Sequence, residues 1–186
     1  PEFRNVEHVS YVDADMQLVD TLRKGKTNCV VELMHAIDRL KDYRNMSDSL
    51  VRLNLMYVIH IVGDMHCPSH VKYPGCKSGR ADLNGKKMSY HAMWDWGVLD
   101  GAHGWSYSEY RLLLDTFSKR EKAGMAKGTP REWLYETAVA CRVIYDWQRA
   151  DGTYGKQFVT DTYLLPERQL ILASYRLAAV LNDLFG

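Results

Sequence analysis

Four of the seven histidines, His60, His66, His70 and His91, fall in a short stretch that also holds Asp64 and Asp95. Four residues separate His60 from Asp64 and His91 from Asp95; on a helix that spacing puts both side chains on one face, roughly 5–6 Å apart at Cβ. Imidazole nitrogen and carboxylate oxygen are ligands that zinc accepts readily. A histidine and an aspartate at helical spacing also make an ordinary salt-bridged pair, so one such pair carries little. The surroundings of the first pair add weight. Asp64 lies in the apolar run MYVIHIVGDMH, where an unpaired ionised carboxylate is costly to bury and needs a cation or strong hydrogen bonds. Two such pairs, with His70 just after Pro68, form the constellation expected of a zinc site.

Cys67 and His66 follow Asp64 where the helical pattern ends, and they read as a packed thiol and an imidazole that supports the ligands from behind. His35 and His103 have no acidic partner at metal spacing and read as structural. The rings of Trp94, Trp96, Trp105 and Tyr107 suit base stacking, while buried packing is the commoner use of large rings.

These side chains need helices to hold them. Over residues 28–43, Val30, Val31, Leu33, Met34, Ile37 and Leu40 recur at three and four residues, the stripe of an amphipathic helix. A second helix is predicted from the capping run Ser47, Asp48 and Ser49 to a stop at Cys67 and Pro68. It is apolar nearly all round, which predicts a central position. Over residues 71–89, Pro74, Gly75, Gly79, Asn84 and Gly85 break every period, predicting a long ordered loop or a short hairpin before a helix around His91. Further helices are predicted over residues 106–122, over residues 130–147 opened by Thr129 and Pro130, and over residues 166–185 closed by Gly186. No strand alternation is visible, so the expected fold is all-α, a single multi-helix domain over residues 1–186.

Composition narrows the class. A chain of 186 residues can bury a core without a metal or disulfide staple. Its 46% hydrophobic and 25% charged residues exclude a disordered or fibrous protein. The 24 Lys and Arg against 23 Asp and Glu leave a charge of +1, which excludes gripping nucleic acid by charge alone. No apolar run nears the roughly 20 residues that span a bilayer, and no stable protein partner is implied. The opening PEFRNVEHV is not a signal-peptide pattern. Cys29, Cys67, Cys76 and Cys141 lack CxxC spacing; they either pair in an oxidising compartment or stay as small buried thiols.

With those residues in place, IHIVGDMHCPSH over residues 59–70 and YHAMWD over residues 90–95 resemble the signature of the zinc-dependent S1/P1 nuclease family, a helix reading HxxGDxHQPLH and a later NLHxxWD. The likeness extends to Tyr11-Val12-Asp13 (the family's HYxD), to Asn28-Cys29-Val30-Val31, to Trp105-Ser106-Tyr107 and to SYRLAAVLNDLF near the end. It implies an α-helical domain related to zinc phospholipases C, with up to three zinc ions in a cleft. On that resemblance His60 and Asp64 bind the buried zinc, Asp64 bridges to a neighbouring ion, and His70, His91 and Asp95 are the ligands of another. Asp13 matches an acidic residue beside the cluster, which makes Asp13 and Asp64 the candidate catalytic carboxylates. The implied activity is that of an endonuclease and 3′-nucleotidase, metal-assisted phosphodiester hydrolysis of single-stranded DNA, RNA or 3′-nucleotides, in a secreted or periplasmic protein. The alternatives are phospholipase C-like cleavage and a zinc-binding member without turnover.

The chain departs from the family pattern in three ways. Family chains begin with a Trp whose amino group binds zinc, followed by a His and an Asp ligand, so an N-terminal portion is expected to be missing from this sequence. The His before YxD falls at Ser10, with His8 two residues earlier on the same face of an extended segment. The family's DxGGN loop is replaced by PGCKSGRADLNG, and NLH becomes SYH. One or two zinc ions are therefore expected: one on His70, His91 and Asp95 with an open position, and a weaker one on His60 and Asp64, which on the resemblance lacks two of its four ligands, one replaced by Ser10 and one in the upstream segment.

Overall fold

A computed structural model describes residues 7–22 and 26–186. The first strand, β1 (Ser10–Tyr11), leads through a loop to α1 (Cys29–Leu40). Asn28 joins the two. Its Oδ1 accepts the Val30 amide at 3.3 Å, capping the helix, and its Nδ2 donates to the carbonyls of Tyr11 at 3.0 Å and Val19 at 2.9 Å. A cap of this kind contributes about 1 kcal/mol, and here the same side chain pins the segment in front of the helix. The predicted stripe ends at Leu40, and a 3₁₀ turn at Tyr43–Asn45 reverses the chain into α2 (Asp48–His66). Leu33, Ala36 and Leu40 of α1 share one core with Tyr57, Val58, Ile61, Val62 and Met65 of α2.

After α2 the chain forms β2 (Val71–Lys72), then a hairpin of β3 (Arg80–Leu83) and β4 (Lys86–Ser89). β1 and β2 pair in parallel, Ser10 opposite Val71. Asn84 and Gly85 turn the hairpin at φ values of 52° and 85°, the left-handed conformation that a two-residue hairpin turn requires and that Asn-Gly supplies at least cost. Next come α3 (Tyr90–Ala92), a π turn at Met93–Gly97 and α4 (Val98–Ala102). The helix predicted over residues 106–122 is two helices, α5 (Tyr107–Leu114) and α6 (Lys119–Met125). Ser118 and Glu121 close a capping box that starts the second helix; the apolar period runs across the break and hides it. α7 (Pro130–Cys141) is followed by a 3₁₀ turn at Arg142–Tyr145, β5 (Thr153–Tyr154), α8 (Lys156–Thr162) and α9 (Leu164–Phe185).

The fold is mainly helical. Its strands are two to four residues long, too short to show alternation in sequence. Trp133, Leu134 and Ala138 of α7 complete the first core, with Leu177, Val180 and Leu184 of α9 against it. A second core gathers Leu83, Tyr90, Met93, Trp94, Val98, Tyr154, Phe158 and Val159, and Tyr145 packs against both. The central position expected of α2 holds on one side only, because Met56 and Ile59 are 44% and 47% exposed. That open side carries His60 and Asp64. Among the described residues, no helix is long and apolar enough to cross a membrane.

Candidate metal centre

Four segments converge near the C-terminal end of α2. The helix contributes His60 and Asp64, with His60 Nε2 at 2.9 Å from Asp64 Oδ2. Pro68 determines where α2 stops: it disfavours helical geometry in the residue before it, and Cys67 is extended at ψ 127°. The short turn Pro68–His70 then brings His70 Nδ1 to 3.5 Å from Asp64 Oδ2. β2 starts directly after His70, and its pairing with β1 draws the preceding strand segment alongside. His70 Nδ1–H therefore donates to the His8 carbonyl at 2.9 Å, while His8 Nδ1 lies 2.6 Å from His60 Nε2 and 3.7 Å from Asp64 Oδ2. From the other side, Asp95 Oδ1 reaches to 3.5 Å from His70 Nε2, and the His91 ring lies 4.5 Å from the His70 ring. Ser89 caps this last helix by accepting the Ala92 amide at 3.0 Å. Asp95 itself sits in the π turn, a distortion that recurs at functional sites.

The ligand atoms fall into two groups, each with its members within 4.8 Å of one another: His8, His60 and Asp64, and Cys67, His70 and Asp95. His91 adjoins the second group through His70. Asp64 Oδ2 and His70 Nε2 are both buried without a hydrogen bond. With Nδ1–H committed to the His8 carbonyl, the neutral His70 ring turns a lone pair at Nε2 toward a carboxylate oxygen. Buried polar atoms left this way are rare and costly, and a divalent cation in each group would satisfy the one that belongs to it. The donor set therefore fits a metal that takes nitrogen, oxygen and sulfur ligands. Burial alone would lower the pKa of His70, but Asp64, the His8 carbonyl and Asp95 outweigh it and hold the ring above the ordinary value. His91 is lowered by burial and by the neighbouring His70.

Two side chains differ from their sequence reading. Ser10, at the position of the family's histidine, faces inward with Oγ 3.4 Å from Cys29 Sγ, and His8 reaches the ligands instead. Alternation along an extended segment was the signal for it. Cys67 is not simply packed: its Sγ lies 3.6 Å from Asp95 Oδ1 and 3.3 Å from Ser69 Oγ, and burial pushes the thiol up to about 12. A cysteine between a ligand-bearing helix and a proline was the available signal.

Asp13 is exposed on the loop after β1, and its Oδ1 accepts the amides of Asp15 and Gln17, each at 2.9 Å; it belongs to neither ligand group among the described residues. His66 sits behind the ligands. Its Nδ1–H donates to the Val62 carbonyl at 2.7 Å, Arg176 donates to its Nε2 at 2.8 Å, and burial lowers its pKa to about 4. Buried Arg176 also pairs with Glu136 and donates to the Met125 carbonyl at 3.2 Å. Trp94 is packed in the second core, Trp105 stacks on His103, and Trp96 stays partly exposed with Lys86 Nζ 4.3 Å from its ring centre. All four cysteines are free thiols.

A mainly helical scaffold that gathers histidines and aspartates at the end of one helix defines a class of metal-centred proteins. A family model described as S1/P1 Nuclease matches residues 2–186, and the chain belongs to this family. It is 27% identical to Endonuclease 2 of Arabidopsis thaliana over 184 residues, which cover 87% of this chain and 63% of that protein. With Endonuclease 4 of the same plant it is 25% identical over 187 residues, covering 88% and 62%. The chain thus spans a little under two thirds of the length of these relatives.

Proposed function

We propose that the chain carries the zinc centre of a phosphodiesterase that hydrolyses single-stranded DNA, RNA or 3′-nucleotides outside the cytoplasm, within one domain over residues 1–186. The observation that supports this most is the position of His70, with Nδ1 beside Asp64 and Nε2 beside Asp95, so that the two ligand groups adjoin. His8, His60 and Asp64 would hold one zinc, and His70, His91 and Asp95 another. Bound there, zinc lowers the pKa of water and neutralises charge on a phosphate. The rest falls to the chain. The His8 carbonyl fixes the tautomer of His70 and keeps Nε2 turned to the ligands. Trp96 and Lys86 offer a ring for a base and a cation for a phosphate, in keeping with the net charge of +1.

The test is hydrolysis of denatured DNA, RNA and phosphatidylcholine micelles, with zinc and with a chelator. Zinc-dependent cleavage of the nucleic acids, lost in His60→Ala and His70→Ala, is the expected result. Cleavage of lipid alone would overturn the reading. A member that binds zinc without turnover is the second reading, favoured by the inward-facing Ser10; it predicts zinc binding with no hydrolysis of any of the three.

A further inference from the structure

We infer that Cys67 is itself a metal ligand, its thiolate joining His70, His91 and Asp95, so that this half of the centre takes a thiophilic divalent ion. Two independent observations meet here. Cys67 Sγ, His70 and Asp95 Oδ1 offer ligand atoms that all lie within 4.8 Å of one another. Separately, His70 is 8% exposed, and its Nε2 has no hydrogen bond although it lies 3.5 Å from Asp95 Oδ1. The thiol donates to that same carboxylate oxygen at 3.6 Å, a weak bond that still leaves Nε2 unsatisfied. A cation among the three atoms satisfies them together.

The backbone favours this placement. The Cys67 amide donates to the Asp64 carbonyl at 3.0 Å, closing the last turn of α2, and Pro68 holds the residue extended. Cys67 is therefore fixed between two ligand-bearing segments, at a position where the signature HxxGDxHQPLH reads Gln. On coordination the S–H bond breaks, a sulfur–metal bond forms and the proton passes to water; a coordinating thiol is deprotonated outright by its metal. The chemical consequence is a change of character. Two imidazoles and a carboxylate leave a position open on a tetrahedral ion, whereas a fourth ligand closes it, as in sites that hold structure, so water activation would fall to the ion on His8, His60 and Asp64. Thiolate also moves preference toward zinc, cobalt and cadmium and away from magnesium and manganese.

This inference rests on the metal-centre reading, and its test separates the two. Cobalt(II) is added to the metal-free chain and the absorption spectrum recorded. Ligand-field bands together with a near-ultraviolet thiolate-to-cobalt charge-transfer band are expected, the latter lost in Cys67→Ser and kept in Cys76→Ser. Ligand-field bands without the charge-transfer band, or a charge-transfer band that survives in Cys67→Ser, would overturn the role of Cys67 while leaving the metal centre standing. No cobalt spectrum at all would overturn both. Cadmium affinity is expected to fall by at least about tenfold in Cys67→Ser, the least that loss of even an outer partner costs a metal site. Alkylation of the unaltered protein, mapped by mass spectrometry, gives a check that needs no variant. Zinc should protect Cys67, and equal labelling with and without zinc would count against coordination.

Discussion

The two ligand groups lie side by side but are held by different means. His8, His60 and Asp64 combine the open face of α2 with a strand segment held by the pairing of β1 with β2 and by the buried side chain of Asn28. Cys67, His70 and Asp95 combine the stop of α2 with the π turn, and behind them His66 and Arg176 tie α2 to α9. The first group is thus tied down by the chain that precedes α1, the second by the core. Asp64 belongs to the first group and touches the second through His70, so substitutions in either group or behind it can break the comparison.

The largest effect is expected at Asp64. Its Oδ2 lies within 3.7 Å of nitrogens from His8, His60 and His70, and Asp64→Asn removes a charge that serves both groups. Hydrolysis should fall by at least on the order of 10²–10³, the loss seen when a single charge-stabilising group is removed. The melting midpoint of the metal-free chain should change little, because the amide keeps the shape of the carboxylate and only the charge is lost. Equal melting losses with and without zinc would show that Asp64 acts on the fold alone.

Arg176→Ala should be next, with a loss of about 3 kcal/mol by urea unfolding, since it empties the space of a buried guanidinium and leaves buried His66 without its partner. A milder probe is His66→Gln under varied pH in a chelator. The folded pKa of His66, about 4, lies below the ordinary value of 6.5, so between those values the unfolded chain binds the proton first. Its contribution is complete above about pH 6.5 and is lost as the pH falls toward 4, amounting to on the order of 3 kcal/mol. His66→Gln should flatten that part of the stability profile; an unchanged profile would rule His66 out as its source.

Asn28→Ala sharpens the comparison from the other side. It removes three hydrogen bonds to the main chain, at about 2 kcal/mol, and should weaken zinc at the His8 group more than at the Cys67 group. Equal weakening would mean that the segment before α1 does not position the first group by itself. The smallest effect is expected at Asp13. Its carboxylate is occupied by the Asp15 and Gln17 amides, so Asp13→Ala should cost about 1 kcal/mol or less and leave zinc affinity unchanged. A large loss of hydrolysis with zinc retained would instead place Asp13 in the chemistry.

What the sequence made legible follows the same division. Helical periodicity and Pro68 located α2, and with it His60, Asp64 and His70, because local spacing decides what one helix presents. The second pair was legible for the same reason, although the π turn that carries Asp95 was not. His8 and Cys67 were only partly legible: alternation and the helix stop raised them as neighbours of the ligands without placing them in a group. His8 depends on pairing between β1 and β2, which start 61 residues apart, and two-residue strands leave no pattern. Cys67 depends on how a helix stop meets a distant turn. The break between α5 and α6 was missed because the apolar period continues through it, and only Ser118 and Glu121 betray it.

Metal content and thermal stability measured on one sample test the centre most directly. After dialysis against zinc and removal of excess, metal analysis should find at least one zinc per chain. With zinc then restored to about 100 times its dissociation constant, the melting midpoint should stand roughly 5–10 °C above that in chelator, and His70→Ala should abolish most of both. Less than one zinc per chain, with the same midpoint in zinc and in chelator, would contradict a metal centre built on these residues.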